Sequence, residues 1–364
     1  MKDLPRRIRS LGNKLDDLEV DAMLVTDEIN VRYLSGFTGD SSYLLVQRGN
    51  AMILSDGRYE TQIAEQCPTL AVAIRPPGQL MPDLLRTVAG ELGNQRIAIE
   101  ACHVSVAAMG QMQADCPNVQ WIETSDVVER LRMIKDAGEI AITRQAVEIA
   151  EACFGAIIDE LDTQWTERAI AFELESKMRA LGAEGVSFPP IVAAGPAGAL
   201  PHYQPSDTVL GDAATLLIDW GACYRGYASD LTRTLHRSHA SDRFRRAYQV
   251  VLEAQLAAIE AIRPGVTASE VDAAARHVLA REGMDEAFKH GLGHGTGLQI
   301  HESPRMSSVS EETLVSGMII TVEPGVYFEG DFGIRIEDDI LVTDQGREVL
   351  SRLPKGLEDC RWML

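Results

Sequence analysis

The sequence predicts two domains of different fold class, an α/β domain over residues 1–128 and an α+β domain over residues 129–364. Up to about residue 125, short apolar runs alternate with amphipathic segments, as in layered α/β domains. From about residue 126, two long helical segments come first and long strand-rich stretches follow them. A chain of 364 residues is also long enough for two domains.

The first domain is predicted to contain a mixed sheet. Its N-terminal segment has a charged helical pattern without the apolar core of a signal peptide. The turn sequence Arg48-Gly49-Asn50 separates two strand-like runs, which predicts an antiparallel hairpin. The predicted strands are 22–26, 42–47, 51–55, 71–75, 96–100 and 119–123, and the predicted helices are 59–66, 81–92 and 105–116.

The second domain is predicted to combine an antiparallel sheet with helices on one side. Its first long helices cover 138–161 and 166–182, with Thr166 as the N-cap and Gly182 as the stop signal. The remaining predicted helices are 242–262 and 269–282, and the strand-rich stretches are 191–195, 214–236, 287–302 and 317–343.

Composition excludes several classes of partner. The net charge is −20, which repels nucleic-acid backbones and anionic membrane surfaces. No apolar run approaches the roughly 18 residues of a membrane span. The six cysteines are scattered singly without a CxxC pair, which is typical of reduced thiols. We therefore expect a cytoplasmic protein that binds neither nucleic acid nor membrane.

The stretch KHGLGHGTGLQIHE, residues 289–302, concentrates glycine and histidine. Glycine at four alternate positions disfavours a helix, because each costs about 1 kcal/mol relative to alanine. An extended strand would place His290 and His294 on one face and glycine on the other, which lets a neighbouring chain approach closely. The spacing matches neither common phosphate-binding loop, and His301 is not part of an HExxH motif. Histidines satisfied within a core remain the alternative at this point.

Four carboxylates lie where the apolar pattern predicts burial. Asp219 follows the run TLLI, and Asp230 comes 11 residues later, beyond the predicted turn Arg225-Gly226. A hairpin can bring the two together, where they repel unless a proton or cation intervenes. The alternative is that one lies at a strand edge in water. Glu323 ends an apolar strand before Pro-Gly, and Glu337 lies in another predicted strand.

Four carboxylates and an imidazole suit two divalent ions. Ions of the harder or borderline type fit such ligands, namely Mn²⁺, Co²⁺, Zn²⁺ or Fe²⁺. Paired ions of this kind activate water for hydrolysis. No GxSxG motif is present to suggest a serine nucleophile instead.

These motifs resemble the M24 metallopeptidases of the pita-bread fold, above all the Xaa-Pro aminopeptidases and Xaa-Pro dipeptidases (prolidases). The resemblance implies a curved antiparallel sheet with flanking helices, preceded by a creatinase-type N-terminal domain. The motifs that carry it lie at 30–39, 56–59, 131–146, 191–202, 219–234, 290–305, 321–327 and 333–339.

The resemblance also implies a role for each site residue. Asp219 and Asp230 would bind the first ion, with Asp230 bridging. His294 and Glu323 would bind the second ion, and Glu337 would bridge both. Glu323 would also move a proton to the leaving proline nitrogen.

Further roles concern the substrate. His202 would lie near the proline subsite, His290 would line the pocket, and His301 would stabilise the tetrahedral intermediate. Arg335 would support the metal-binding carboxylates. Tyr203-Gln204 is bulkier than the residues usual after this histidine, which leaves the substrate length open. Arg305 matches an arginine that holds the dipeptide carboxylate in some prolidases, although aminopeptidases have it too.

The implied activity is hydrolysis of the bond preceding proline, and NVRYLSGFTG favours an aminopeptidase over a dipeptidase. Two alternatives remain, a metal-dependent hydrolase of a non-peptide amide and a non-catalytic binding module. The resemblance further implies a homodimer or homotetramer in which the N-terminal domain reaches the neighbouring subunit's active site. His236 and His239 lie beyond the motif in a polar segment and are predicted to be solvated.

Overall fold

The computed structural model describes residues 4–93 and 95–362, and it divides the chain into two compact units between Arg132 and Met133. The sequence placed the boundary between residues 128 and 129. Helix Val127–Arg132 belongs to the first unit. Tyr33 Oη donates to the Leu131 carbonyl at 3.1 Å, and Arg132 Nη1 donates to Asn30 Oδ1 at 2.8 Å.

The first unit is built on a mixed sheet with the strand order β4-β3-β2-β1-β5-β6. The predicted hairpin is confirmed, since β2 and β3 pair antiparallel around Gly49, whose φ is +72°. The sequence did not predict helix α2. The first unit contains the helices α1 (Leu4–Asp17), α2 (Glu28–Ser35), α3 (Glu60–Gln66), α4 (Met81–Leu92), α5 (Val106–Asp115) and α6 (Val127–Arg132), with the strands β1 (Ala22–Val25), β2 (Tyr43–Gln47), β3 (Asn50–Asp56), β4 (Ala71–Arg75), β5 (Gln95–Glu100) and β6 (Val119–Thr124).

The helices of the second unit follow the sequence prediction closely. Thr166 caps α8 by accepting from Ala169 N, and Gly182 follows the helix with a φ of +103°. The apolar faces of these helices pack against the sheets in a single large core. No helix in the described ranges is long and apolar enough to cross a membrane. The helices are α7 (Ala137–Glu160), α8 (Glu167–Ala180), α9 (Asp242–Ala261) and α10 (Ala268–Arg281).

The strand pairs recorded in the second unit are antiparallel, as predicted. They form sheets of order β11-β10-β7, β12-β9-β8 and β14-β13-β15-β18-β19, and the pair β16-β17. The strands are β7 (Gly185–Val186), β8 (Ile191–Ala194), β9 (Thr215–Trp220), β10 (Ala222–Tyr224), β11 (Tyr227–Ala228), β12 (Leu231–His236), β13 (Gly293–Gly295), β14 (Glu302–Met306), β15 (Ile319–Val322), β16 (Gly325–Phe328), β17 (Phe332–Arg335), β18 (Asp338–Thr343) and β19 (Gly346–Val349).

Two predicted strands are wrong in extent. The stretch 287–302 is mostly irregular, and only β13 and the first residue of β14 lie within it. Residues 333–340 form two strands, because β17 pairs with β16 whereas β18 pairs with β15 and β19. Glu337 lies at the break and bridges to Thr232 of β12. The break therefore places this carboxylate between different sheets.

The predicted solvation of His236 is also wrong, whereas that of His239 is confirmed. His236 is fully buried, and its ring nitrogens lie 3.0 Å and 2.8 Å from the carbonyl oxygens of Arg237 and Leu357. The C-terminal segment covers it, since Trp362 N donates to the His236 carbonyl at 2.8 Å. The His239 side chain is exposed.

Candidate metal centre

Residues far apart in the chain converge in the second unit. One side-chain donor atom from each of Asp230, His294 and Glu337 lies within 4.8 Å of the other two. His294 Nε2 lies 3.5 Å from Asp230 Oδ2 and 3.6 Å from Glu323 Oε1. Asp219 stands opposite Thr232 in the β9–β12 ladder, and the Thr232 hydroxyl donates to Glu337 Oε2 at 2.6 Å. The structure thus brings together all five predicted ligands.

Local chain geometry explains how the two aspartates meet. The β10–β11 hairpin turns at Arg225-Gly226, as predicted, with φ values of +50° and +81°. The chain then returns antiparallel to β9, so Asp219 stands opposite Thr232. Asp230 immediately precedes β12 and therefore lies beside the end of β9 that carries Asp219.

The site is strongly acidic and buried. Burial, followed by the charges of Asp219, Asp339 and Glu323, raises the pKa of Asp230 well above its usual range. Burial and the neighbouring carboxylates raise the pKa of Glu337 in the same way, and Arg335 opposes both shifts. Burial also raises the pKa of Glu323 to about 6, against the opposing effects of His294 and Arg335.

A divalent cation would satisfy this arrangement. Within the described residues, Asp219 Oδ1, Glu337 Oε1 and Asp339 Oδ1 are buried without a hydrogen-bond partner. Buried carboxylates of this density repel one another unless protons or cations neutralise them. Carboxylate oxygens with one imidazole form a donor set that suits Mn²⁺, Co²⁺, Zn²⁺ or Fe²⁺. The side chains therefore fit the predicted metal site.

Arg335 organises one side of the site. Its Nη2 donates to Asp219 Oδ2 at 2.5 Å, and its Nη1 donates to Tyr327 Oη at 2.8 Å. Its Nε donates to Thr232 Oγ1 at 3.2 Å. That hydroxyl in turn donates to Glu337 Oε2 at 2.6 Å. Arg335 thus orients two of the predicted ligands, one directly and one through Thr232.

His290 is held as a neutral imidazole. Because Arg335 donates to Tyr327 Oη, the hydroxyl proton can go to His290 Nε2, which lies 2.9 Å away. The proton on Nδ1 then faces the Gly291 carbonyl at 2.8 Å. Burial and the charge of Arg335 lower the pKa of His290 to about 4. Both ring nitrogens are thus engaged in contacts within the protein.

His301 and His202 lie around the same site. The rings of His301 and His294 meet edge to face, with centroids 4.4 Å apart. Partial burial, followed by the charges of His294 and His202, lowers the pKa of His301. His202 is exposed. Tyr203, the bulky residue after it, points its hydroxyl to Glu167 Oε2 at 2.8 Å.

Glu167 anchors the segment that carries His202. Its carboxylate is fully buried at the start of α8. It accepts from Ala194 N at 2.9 Å, and from Ser206 N and Oγ at 3.0 Å and 2.7 Å. The backbone on both sides of His202 is therefore held by one carboxylate.

The glycines of the 289–302 stretch provide close backbone approach. A Cβ on Gly293 would lie 2.3 Å from the Thr321 carbonyl oxygen, and one on Gly295 would lie 2.2 Å from the Ser303 carbonyl oxygen. Thr321 Oγ1 accepts from His294 N at 3.0 Å and lies 3.4 Å from Glu323 Oε1. Because Gly293 and Gly295 have no side chain, β13 can pack closely against β14 and β15, with His294 between the two glycines.

Sequence reasoning missed several residues of the site. Asp339 Oδ2 accepts from Asp230 N at 2.9 Å, and burial raises the pKa of Asp339 to about 7. The sequence did contain a signal for three of the missed residues, namely a spacing of two positions from a predicted ligand. Side chains two positions apart on a strand share a face. Thr321 and Asp339 each lie two residues from a predicted ligand, as does Thr232. Tyr327 carried no such signal.

A buried cluster of carboxylates with one histidine, in an α+β domain that follows an α/β domain along the chain, is typical of metallohydrolases. Residues 141–344 match the model of metallopeptidase family M24, and residues 7–134 match that of the creatinase/prolidase N-terminal domain. The chain belongs to metallopeptidase family M24. The resemblance seen in the sequence is therefore confirmed.

Solved structures and curated relatives match nearly the whole chain. An Xaa-Pro dipeptidase from Bacillus anthracis superposes with a TM-score of 0.92 at 37% identity, covering 98% of both chains. An X-Pro aminopeptidase from Thermotoga maritima gives 0.87 at 36% identity, covering 94% of this chain and 99% of the other. An Xaa-Pro dipeptidase from Pyrococcus furiosus is 33% identical over 97% of this chain and all of its own. The predicted pita-bread fold is confirmed by these matches.

Proposed function

We propose that this chain is a dinuclear-metal exopeptidase that hydrolyses the peptide bond preceding proline. The observation that carries the proposal is the convergence of Asp230, His294 and Glu337 within 4.8 Å, with Glu323 and Asp219 beside them. Two divalent ions, bound there, would supply an activated water and a positive charge for the developing oxyanion. Asp219 and Asp230 are assigned to one ion, His294 and Glu323 to the other, and Asp230 and Glu337 to both.

The protein's own groups supply the remaining chemistry. In the metal-free protein, burial raises the pKa of Glu323 to about 6, and its Oε1 lies 3.6 Å from His294 Nε2. We assign it the delivery of a proton to the leaving proline nitrogen. His301 is assigned the stabilisation of the tetrahedral intermediate, because its ring stands 4.4 Å from that of His294. His301 reaches this position as a largely neutral donor, since its pKa is lowered.

The proline ring requires an apolar wall. His290 offers a ring face with both nitrogens engaged, and Phe288 packs edge to face against it with centroids 5.0 Å apart. A tertiary amide has no N–H to recognise, so shape selects proline more readily than hydrogen bonding does. His202 is assigned to the other side of this pocket.

Two substrate lengths remain candidates. The sequence favoured an aminopeptidase, and the similarity to the Thermotoga maritima enzyme supports it. Similarity to the Xaa-Pro dipeptidases supports a dipeptidase about as well. Arg305 adds a structural argument for dipeptides. It stands opposite His294 in the β13–β14 ladder, and its charge helps to lower the pKa of His301 after burial and the charges of His294 and His202. A guanidinium so placed can bind a C-terminal carboxylate.

Hydrolysis of Ala-Pro and Ala-Pro-Ala by metal-free and reconstituted enzyme tests the proposal. We expect activity only with metal, and about two ions per chain. If the enzyme is a dipeptidase, it should cleave Ala-Pro and not Ala-Pro-Ala, and Arg305→Met should raise the KM for Ala-Pro tenfold or more. No metal uptake and no cleavage of either peptide would refute the assignment. If the enzyme cleaves a non-peptide amide and neither of the two peptides, the proposed peptidase activity is wrong and the chain is a hydrolase of non-peptide amides.

The biological setting is part of the same proposal. We propose Mn²⁺ as the working ion, a reducing cytoplasmic location and a homo-oligomer. No disulfide joins any of the six cysteines, all of which lie in the described residues, and this supports a reducing compartment. Light scattering of the purified protein measures the oligomer, and metal analysis of protein purified without added metal identifies the ion.

A further inference from the structure

A buried ion pair joins the start of the catalytic unit to the histidine-rich segment. Lys135 Nζ lies 3.1 Å from Glu302 Oε2, and the two side chains are only 1% and 6% exposed. Lys135 belongs to the motif LRMIKDAGEIAITRQA, which carried part of the family resemblance. The proposed function uses none of that motif. Buried charges are costly to desolvate, so a pair of this kind calls for an explanation.

The carboxylate of Glu302 closes the turn that carries His301. Its Oε1 accepts from Gln299 N at 3.1 Å, and Gly297 N donates to the Gln299 carbonyl at 3.0 Å. A Cβ on Gly297 would lie 2.7 Å from Glu302 Oε2, so the carboxylate fills the space that this glycine leaves. His301 lies between the two residues that the carboxylate ties together, Gln299 and Glu302 itself.

The ammonium of Lys135 is itself rigidly placed. Lys135 N donates to the Gly317 carbonyl at 2.8 Å, and Nζ also donates to the Met133 carbonyl at 3.4 Å. The next residue, Asp136, caps α7 by accepting from Gly138 N at 2.8 Å. The turn of residues 297–302 is thus fastened to a helix start and to the segment before β15.

We propose that Lys135 is a positioning residue that, through Glu302, holds the turn of residues 297–302 so that His301 faces His294. The proposal rests on the proposed function, which assigns His301 to the tetrahedral intermediate. Its effect falls on the chemical step. The metal ligands lie outside this turn, so metal binding should be unaffected.

A purely stabilising role is the competing explanation, and a double variant separates the two. Lys135→Met alone should lower Tm, because it removes the cation that pairs with the buried Glu302 carboxylate. The double variant Lys135→Met/Glu302→Leu removes both charges and should recover most of the lost Tm. Its kcat should nevertheless stay at least tenfold below wild type, with KM within threefold and metal content unchanged, since residue 302 no longer accepts a hydrogen bond from the Gln299 amide. Lys135→Arg keeps the cation and should retain most of kcat.

Hydrogen exchange supplies a readout that needs no substrate. Amides of residues 297–301 should exchange at least tenfold faster in the double variant than in wild type. Val251→Ala in the buried face of α9 is the matched control, because it lowers Tm without touching the turn. It should leave kcat and this exchange unchanged.

Two results would overturn the positioning role. One is recovery of both Tm and kcat in the double variant, and the other is unchanged exchange at 297–301. Inactivity of the wild-type enzyme on proline peptides would instead refute the proposed function, while hydrogen exchange would still decide whether Lys135 holds the turn.

Discussion

Replacing Asp230, one of the proposed metal ligands, should stabilise the metal-free protein. The Asp230 and Glu337 donor oxygens lie within 4.8 Å of each other. Two ionised groups at that distance repel by about 3.5 kcal/mol at an effective dielectric constant of about 20. If Asp230 takes up a proton instead, the cost at pH 7 is about 4 kcal/mol for an unfolded-state pKa of about 4. The variant Asp230→Asn has neither the charge repulsion nor the free-energy cost of protonation.

We therefore expect Asp230→Asn to raise the free energy of unfolding by about 2–3 kcal/mol in chelator at pH 7. The estimate is below the full repulsion because the variant loses the attraction of His294, whose Nε2 lies 3.5 Å from Asp230. With saturating Mn²⁺ the order should reverse, since only wild type gains binding energy. Urea unfolding with and without metal measures both states. Asp212→Asn is the control, because that side chain is 92% exposed and its pairs contribute little.

Two outcomes would refute this reasoning. If chelated Asp230→Asn is no more stable than chelated wild type, the carboxylates do not repel as described. If the variant binds as much metal as wild type with equal affinity, Asp230 is not a ligand.

Three further changes test other parts of the site. Gly295→Ala should lower the free energy of unfolding by about 1–3 kcal/mol and weaken metal binding, because the new Cβ would lie 2.2 Å from the Ser303 carbonyl oxygen. Urea unfolding and metal titration measure the two effects. His290 has a pKa of about 4 when folded and about 6.5 when unfolded, so the unfolded chain alone takes up this proton as pH falls from 6.5 to 4. Stability should fall through that window, by about 2 kcal/mol at pH 5, and His290→Gln should lack this loss in chelated protein. Glu167→Gln should raise KM several-fold with unchanged metal content, because it loosens the segment that carries His202.

Each of these predictions has a contrary result. Wild-type metal affinity in Gly295→Ala would show that β13 and β14 can separate without moving His294. Equal pH dependence in wild type and His290→Gln would mean that His290 is not held neutral. An unchanged KM in Glu167→Gln would place His202 outside the substrate pocket.

Local signals were enough to predict most of the helices and the hairpins. The Thr166 cap, the Arg48-Gly49-Asn50 turn and the Arg225-Gly226 turn act over a few residues, and each occurs where it was predicted. Helix α2 was missed although Asp27 caps it and Gly36 ends it, with a φ of +79°. Its eight residues are too few for apolar periodicity to stand out.

Long-range contacts explain what the sequence could not show. His236 follows an apolar strand and precedes polar residues, so it resembled a solvated strand end. The segment that buries it, around Leu357 and Trp362, lies more than 100 residues later. Glu337 likewise looked like part of one strand, because three isoleucines continue across it. Only the pairing of β17 and β18 with different partners reveals the break.

The repulsion among the buried carboxylates links metal supply to the lifetime of the protein. Ligand binding stabilises a folded protein by RT ln(1 + [L]/Kd), so each tenfold excess of ion over Kd adds about 1.4 kcal/mol. Asp219 and Glu337 are 118 residues apart (337 minus 219), so bound ions would also fasten strands that the chain joins only distantly. Newly made chains that find no ion would unfold more often and meet proteases first. We expect the amount of this enzyme in a cell to fall under metal starvation even when its synthesis is constant.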